Sequence, residues 1–169
     1  MTRLTYRPFS LLAMAFYLLA SSFVSAQGAP GDLEVITKAS DLDPDMADAR
    51  AVATVCTACH SSTQFLTAAR PYLRWELTMQ DMLDRGAVAT DEQLDRILTY
   101  LVRNITIVNV NSSPADQLAM TLQIPAAAAH EIVTRRSRRA FTNIDELKAT
   151  QGVNMDVLKK LAKKNLLQF

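Results

Sequence analysis

Five consecutive residues, Cys56-Thr57-Ala58-Cys59-His60, carry the most specific chemical signal in the chain and contain both of its cysteines. Two thiols so placed share one helical turn, too cramped for a relaxed structural disulfide. The spacing suits a planar macrocycle: each thiol adds to a haem vinyl group, and the adjoining imidazole takes one axial position on iron. Two other chemistries use similar spacings. A thioredoxin-like dithiol needs a βαβ setting, which this sequence lacks, and a closed zinc site needs more than the two cysteines and two histidines present. A five-residue pattern also arises by chance at some rate. The expected cofactor is one covalent haem c, attached through Cys56 and Cys59, with His60 as axial iron ligand.

The opposite axial position calls for Met or His. The only other histidine, His130, follows an alanine run, residues 126–129, and is expected to pack or to face solvent. Met79 and Met82 lie three apart in a helix-like stretch, residues 74–84, so they occupy neighbouring positions on one face. Met82 is the expected ligand because Asp84-Arg85-Gly86-Ala87 breaks the helix just after it; Met79 is the alternative.

These groups need helices to hold them. Asp43 can cap a helix with Pro44 in its first position, and Met46, Ala49, Ala53 and Cys56 then recur on one face up to the attachment motif. Thr90-Asp91-Glu92-Gln93 is a capping-box signature ahead of Leu94, Ile97, Leu98, Leu101 and Val102, which predicts an amphipathic helix ending near Asn104. It should cross the first helix beside the haem edge, with Tyr100 in contact. The stretch from Trp75 to Ala87, with Trp75 seven residues before Met82, resembles a bacterial family of class I-like cytochrome c domains. In that family this Met is the distal ligand, and the resemblance covers residues 43–104. No general acid–base pair, Ser/His/Asp order or phosphate-binding glycine loop accompanies the motif, so independent catalysis is not expected.

After Asn104 the texture changes. Ile105-Thr106-Ile107-Val108-Asn109-Val110-Asn111 is extended and β-branched and is predicted to be a linker. Ser113-Pro114 opens a helix, and two apolar-periodic passages follow, residues 118–133 and 144–161, broken at Gln123-Ile124-Pro125 and Gln151-Gly152-Val153-Asn154. Val108-Asn109-Val110-Asn111, Asp116-Gln117-Leu118-Ala119, Glu131-Ile132-Val133, Phe141-Thr142-Asn143-Ile144-Asp145-Glu146-Leu147 and Gly152-Val153 resemble the tandem helix-hairpin-helix domain of competence DNA receptors. In DNA-binding members a G-x-G hairpin brings backbone N–H groups against a phosphate. Here Gln123 and Pro125 replace the first pair of glycines, and Pro125 has no N–H. The second hairpin keeps Gly152 but has Asn154. The same tandem fold also resembles an extrinsic subunit of the oxygen-evolving photosystem, where it docks protein, and that is the closer analogy.

The composition frames these signals. A chain of 169 residues, 49% hydrophobic and 21% charged, with net charge +1, excludes disorder and a uniformly basic nucleic-acid binder, and only four glycines favour helices over strands. The expected class is all-α: a small class I-like cytochrome c domain followed by a tandem helix-hairpin-helix domain. Arg3 and Arg7 before the apolar run 9–23 and Val24-Ser25-Ala26 predict a secretory signal, residues 1–26, and a periplasmic product with no integral span. A lead, residues 27–42, then precedes the haem domain, residues 43–104, the linker, residues 105–112, and the helix-hairpin-helix domain, residues 113–169. Charge divides likewise: residues 27–104 are net −5 and residues 105–169 net +4.

The basic excess lies in Arg135, Arg136, Arg138 and Arg139 and in Lys159, Lys160, Lys163 and Lys164. These residues are either a solvated helix face or a patch that docks an acidic redox partner or the chain's own acidic half. The expected function is one-electron transfer, with the second domain docking the carrier to a redox partner or assembly. Two alternatives stand beside it. One is an envelope DNA-binding protein with a structural or regulatory haem, which the lost hairpin glycines weaken; the other is a haem-based sensor with a labile Met82.

Overall fold

The computed structural model describes residues 31–169, so the expected signal, residues 1–26, lies outside the described residues. The described chain is mostly helical, as its glycine-poor composition suggests, with one addition: a small parallel sheet. Helices α1 (Asp32–Ala39), α2 (Met46–Cys56), α3 (Thr63–Leu66), α4 (Tyr72–Asp84) and α5 (Asp91–Ile105) come first. A second group follows, α6 (Ala115–Leu122), α7 (Ala126–Arg136), a 3₁₀ helix (Ile144–Ala149) and α8 (Met155–Lys163). Strands β1 (Arg70–Pro71), β2 (Thr106–Asn109) and β3 (Leu167–Gln168) join them in spatial order β1-β2-β3. Among the described residues no helix is long and apolar enough to cross a membrane.

Local chemistry sets the helix ends that matter for the site. Asp45, not Asp43, caps α2: its carboxylate accepts the N–H groups of Ala47 and Asp48 at 2.7 and 3.1 Å, an arrangement worth about 1 kcal/mol. Asp43 is drawn away instead, its carboxylate to Arg103 at 2.6 Å and its N–H to Asn104 Oδ1 at 3.0 Å. Thr90 and Gln93 form the reciprocal capping box expected of them. Helix α4 stops where Gly86, at φ 97°, allows the Gly86 N–H to reach the Leu83 carbonyl and the Ala87 N–H to reach the Met82 carbonyl, both at 2.9 Å. This paired closure needs a left-handed residue after the helix, which glycine supplies without strain.

Two buried clusters organise the chain. The first gathers Ile36, Ala49, Val52, Phe65, Trp75, Ile97, Tyr100, Leu101 and Ile105 around the crossing of α2 and α5. The second gathers Val108, Val110, Leu118, Leu122, Ile132, Leu147, Leu158 and Leu161 with one residue from far upstream, Leu42. The segment read as a lead is thus built into both: Ile36 is fully buried in the first core, and Leu42 enters the second. Residues 105–112, read as a linker, are also part of the packed body. Thr106 and Val108 are buried, β2 pairs with β1 in the register Arg70↔Thr106 and with β3 in the register Val108↔Leu167. A β-branched run between two cores can bury both faces once partners satisfy its N–H and C=O groups.

Candidate functional site

One cavity of about 710 Å³ opens between α2, α4 and α5, within the size range of cofactor pockets. Cys56, Cys59 and His60 line one wall, and Met79 and Met82 line another. The sequence placed these five residues in two separate segments; the packing of both α2 and α4 against α5 puts them around one space. The walls between are largely apolar, with Leu77, Leu94, Ile97 and Leu101 among them.

Both cysteines are free thiols, Cys56 half-buried and Cys59 exposed. Burial pushes the Cys56 thiol up to about 11, the opposite of what a dithiol redox catalyst needs, since the thiolate is its nucleophile. His60 Nδ1 lies 3.2 Å from the Ser61 carbonyl oxygen. A carbonyl only accepts, so Nδ1 carries the proton and the lone pair stays on Nε2, the form that binds a metal. The ring also meets Phe65 edge to face, with centroids 6.2 Å apart. Among the described residues no group of three or more His, Cys, Asp or Glu could hold a bare metal ion.

The two methionines differ in setting. Met79 packs against the first core, whereas Met82 lines the cavity without belonging to that packed cluster. Met82 also sits at the helix end that Gly86 closes, its own carbonyl taken by Ala87.

A third group of residues on the cavity was not foreseen as functional. Trp75 is buried, yet its Nε1–H has no hydrogen-bond partner, which leaves a donor unsatisfied at a cost of about 1–3 kcal/mol. The Arg70 guanidinium lies over the same indole at 5.2 Å from the ring centroid, and Arg70 and Arg74 both line the cavity. Two guanidinium groups and an orphaned N–H beside two thiols, an imidazole and a thioether fit haem, an apolar ring that carries two carboxylates. The sequence signal for this set was faint: Arg70 and Arg74 stand four positions apart just ahead of Trp75, the first in β1 and the second in α4. Tyr100, expected at the haem edge, turns away instead, and its hydroxyl donates to the Ile36 carbonyl at 2.7 Å. His130 is exposed on α7 and does not line the cavity.

In the second half the two breaks are the turns of two hairpins. Gln123, at φ 54°, ends α6, and Pro125 precedes α7; Gly152, at φ 87°, precedes α8. The hairpins face each other closely: a Cβ built on Gly152 would lie 3.0 Å from Pro125 Cδ. The one retained hairpin glycine therefore meets the other hairpin.

Most of the eight basic residues named above have partners inside the chain. Arg136 donates to the carbonyls of Val110 and Ser113 at 2.8 and 2.6 Å, and Arg135 to Thr150 Oγ1 and the Glu146 carbonyl at 2.7 and 2.9 Å while lying over the Phe141 ring. Arg139 pairs with Glu146 at 3.0 Å. Lys160 donates to the Asp41 carbonyl, and Lys164 to the Ala39 carbonyl and the Asp41 carboxylate. Two lysines thus join α8 to the acidic half of the same chain. Arg138, Lys159 and Lys163 are exposed, and Lys159 has only a distant pairing with Asp156 at 4.0 Å.

A family model described as the helix-hairpin-helix motif matches residues 103–164. No curated protein and no solved structure matches the chain.

Proposed function

We propose that the chain is an exported mono-haem c-type cytochrome that carries single electrons, with its helix-hairpin-helix half serving as a docking scaffold. The observation that carries this reading is the convergence of Cys56, Cys59, His60 and Met82 on one cavity of about 710 Å³. The orphaned Nε1–H of Trp75 and the two cavity arginines support it independently, since they answer the carboxylates of the same group.

In this reading Cys56 and Cys59 would hold haem covalently, each as a thioether formed by addition of its S–H across a vinyl double bond. His60 would offer Nε2 to the iron, with its Nδ1–H held by the Ser61 carbonyl. Met82 would offer its thioether sulfur to the iron, while Met79, half-buried, packs against the first core. Arg70 and Arg74 would neutralise the carboxylates, the Trp75 Nε1–H would donate to one of them, and Leu94, Ile97 and Leu101 would keep water from the cavity. Bound haem supplies a one-electron iron couple, and His/Met ligation raises its potential. The chain's contribution would be to hold His60 and Met82 in place, so that transfer requires little rearrangement. His130 does not line the cavity, and an independent enzymatic activity is not part of the reading.

A second reading, nucleic-acid binding, draws on the helix-hairpin-helix match. The hairpin geometry offers it little: Pro125 has no N–H to give a phosphate, and Gly152 packs against that proline. Five of the eight candidate phosphate contacts, Arg135, Arg136, Arg139, Lys160 and Lys164, are engaged within the chain. The partner that suits the remaining exposed bases is an acidic redox protein, met in the periplasm.

The test is a spectroelectrochemical titration of residues 27–169, produced with the cytochrome c maturation machinery. A reversible one-electron couple with the methionine–iron charge-transfer band supports the carrier. A chain without covalent haem overturns it, and a five-coordinate haem that takes up small gases favours the sensor.

A further inference from the structure

We propose that Asp32 is a positioning residue for the His60 imidazole, acting through the Ser61–Ser62 peptide. The proposal rests on the reading of His60 as an axial ligand.

The geometry forms a continuous path. Asp32 is in the first turn of α1, thirty positions from Ser62 along the chain, and is 8% exposed. Its Oδ1 accepts the Ser62 N–H at 3.1 Å and the Ser62 hydroxyl at 2.5 Å. That N–H belongs to the same peptide unit as the Ser61 carbonyl, and the Ser61 carbonyl accepts Nδ1–H of His60 at 3.2 Å. One planar amide therefore has a carboxylate at its donor end and the imidazole at its acceptor end. Hydrogen bonding to a carboxylate shifts electron density in the amide toward its oxygen, which makes the carbonyl a stronger acceptor. A stronger acceptor at Nδ1 makes Nε2 a stronger donor to a metal, and fixes the ring.

The surroundings hold this path still. The Ser61 carbonyl also accepts the Gln64 N–H at 3.2 Å, and the Ser62 carbonyl accepts from Phe65 and Leu66 at 3.2 and 3.0 Å, so the peptide is anchored to α3. Helix α1 is anchored in turn by the fully buried Ile36, whose carbonyl receives the Tyr100 hydroxyl at 2.7 Å. Ser62 itself is 1% exposed, so no bulk water competes for its two donors. This gives α1 a function beyond packing: it delivers a carboxylate behind the ligand loop.

The experiment uses the haem-loaded chain. Asp32→Asn keeps the shape and removes the charge, with Asp32→Ser as a smaller neutral variant should the amide disturb α1, and Asp32→Glu as the charge-retaining rescue. Asp48→Asn is the control for charge alone, because Asp48 is a buried carboxylate on α2 bonded to Arg96 and not to the loop after His60. Expected for the neutral Asp32 variants is a higher midpoint potential, equal to a tenfold shift in the ferric-to-ferrous ratio at fixed ambient potential, about 59 mV for one electron. The His60 Nδ1–H resonance of the ferrous protein should move upfield with it, and both changes should revert toward wild type in Asp32→Glu. An unmoved resonance, or a potential shift no larger than that of Asp48→Asn, overturns the proposal while leaving the electron-carrier reading intact. A wild-type chain that matures without covalent haem overturns both.

Discussion

Gly152 sits against the ring of Pro125, so close that a Cβ on Gly152 would lie 3.0 and 3.1 Å from the Pro125 Cδ and Cγ atoms. These are the pivotal residues of the two hairpins, and their contact joins the hairpins face to face. Gly152→Ala should therefore destabilise the fold in two ways, through the left-handed φ of 87° and through overpacking. The two effects together come to about 2–4 kcal/mol. Chemical denaturation of the protein checks this, and an alanine variant as stable as wild type would show that the hairpins can part without cost.

Leu42 tests whether the halves act as one body. It leaves the first half of the chain and is 6% exposed within the second core, and the Leu42 carbonyl accepts from Gln123 Nε2 at 3.3 Å. Leu42→Ala should cost about 2–5 kcal/mol. The loss should appear in a single cooperative transition followed equally by the fluorescence of Trp75, buried in the first core, and by far-ultraviolet circular dichroism. Two separate transitions would mean that the halves unfold independently.

Met79 and Met82 make opposite predictions. Met82→Ala should abolish the methionine–iron charge-transfer band and lower the midpoint potential, with little loss of stability because the residue is outside the packed cluster. Met79→Ala should retain the band and lose stability by less than about 2 kcal/mol, because Met79 is only half-buried against the first core. The reverse pattern would exchange their roles.

Tyr100 controls the alkaline limb of stability. Burial, then the Asp41 carboxylate, raise its phenol above the ordinary value. The folded chain therefore keeps a proton that the unfolded chain gives up near pH 10 (about the ordinary phenol value), and stability falls as pH rises beyond that point. Below it the contribution is fully present. Tyr100→Phe should lower stability near neutral pH by about 1–3 kcal/mol, because the Ile36 carbonyl loses its donor. The same variant should show a shallower fall between pH 9 and 11 (roughly the phenol titration range). Denaturant midpoints measured across that range decide it.

DNA affinity gives the last prediction. With five of eight bases bound within the chain, the slope of log affinity against log salt should be shallow, close to that set by Arg138, Lys159 and Lys163 alone. Binding no tighter than that of a charge-matched control protein supports the docking reading. A steep slope lost on Arg135→Ala and Lys160→Ala would favour the nucleic-acid reading instead.

The reliable part of the sequence was local. A three-residue offset joins Thr90 to Gln93 and Gly86 stops α4, because each depends only on neighbours a few bonds away. The hairpin breaks at Gln123-Ile124-Pro125 and at Gly152 were legible for the same reason. The single helical turn expected over residues 56–60 is not kept, since α2 ends at Cys56 and Cys59 and His60 lie beyond it. What packing alone decided involves partners with no periodic relation along the chain: Leu42 in a distant core, β2 between β1 and β3, Lys160 and Lys164 on the Ala39–Asp41 segment, Asp32 behind the His60 loop, and Trp75 with Arg70 and Arg74 on the cavity. Asp43 shows the difference at one position. Its residue type makes it a competent helix cap, but Arg103 and Asn104, sixty and sixty-one positions onward, hold it once α2 and α5 cross, and Asp45 takes the cap. Local propensities differ by about 1 kcal/mol, so a contact made by folding over sixty residues can choose between them, and no spacing within the sequence records that choice.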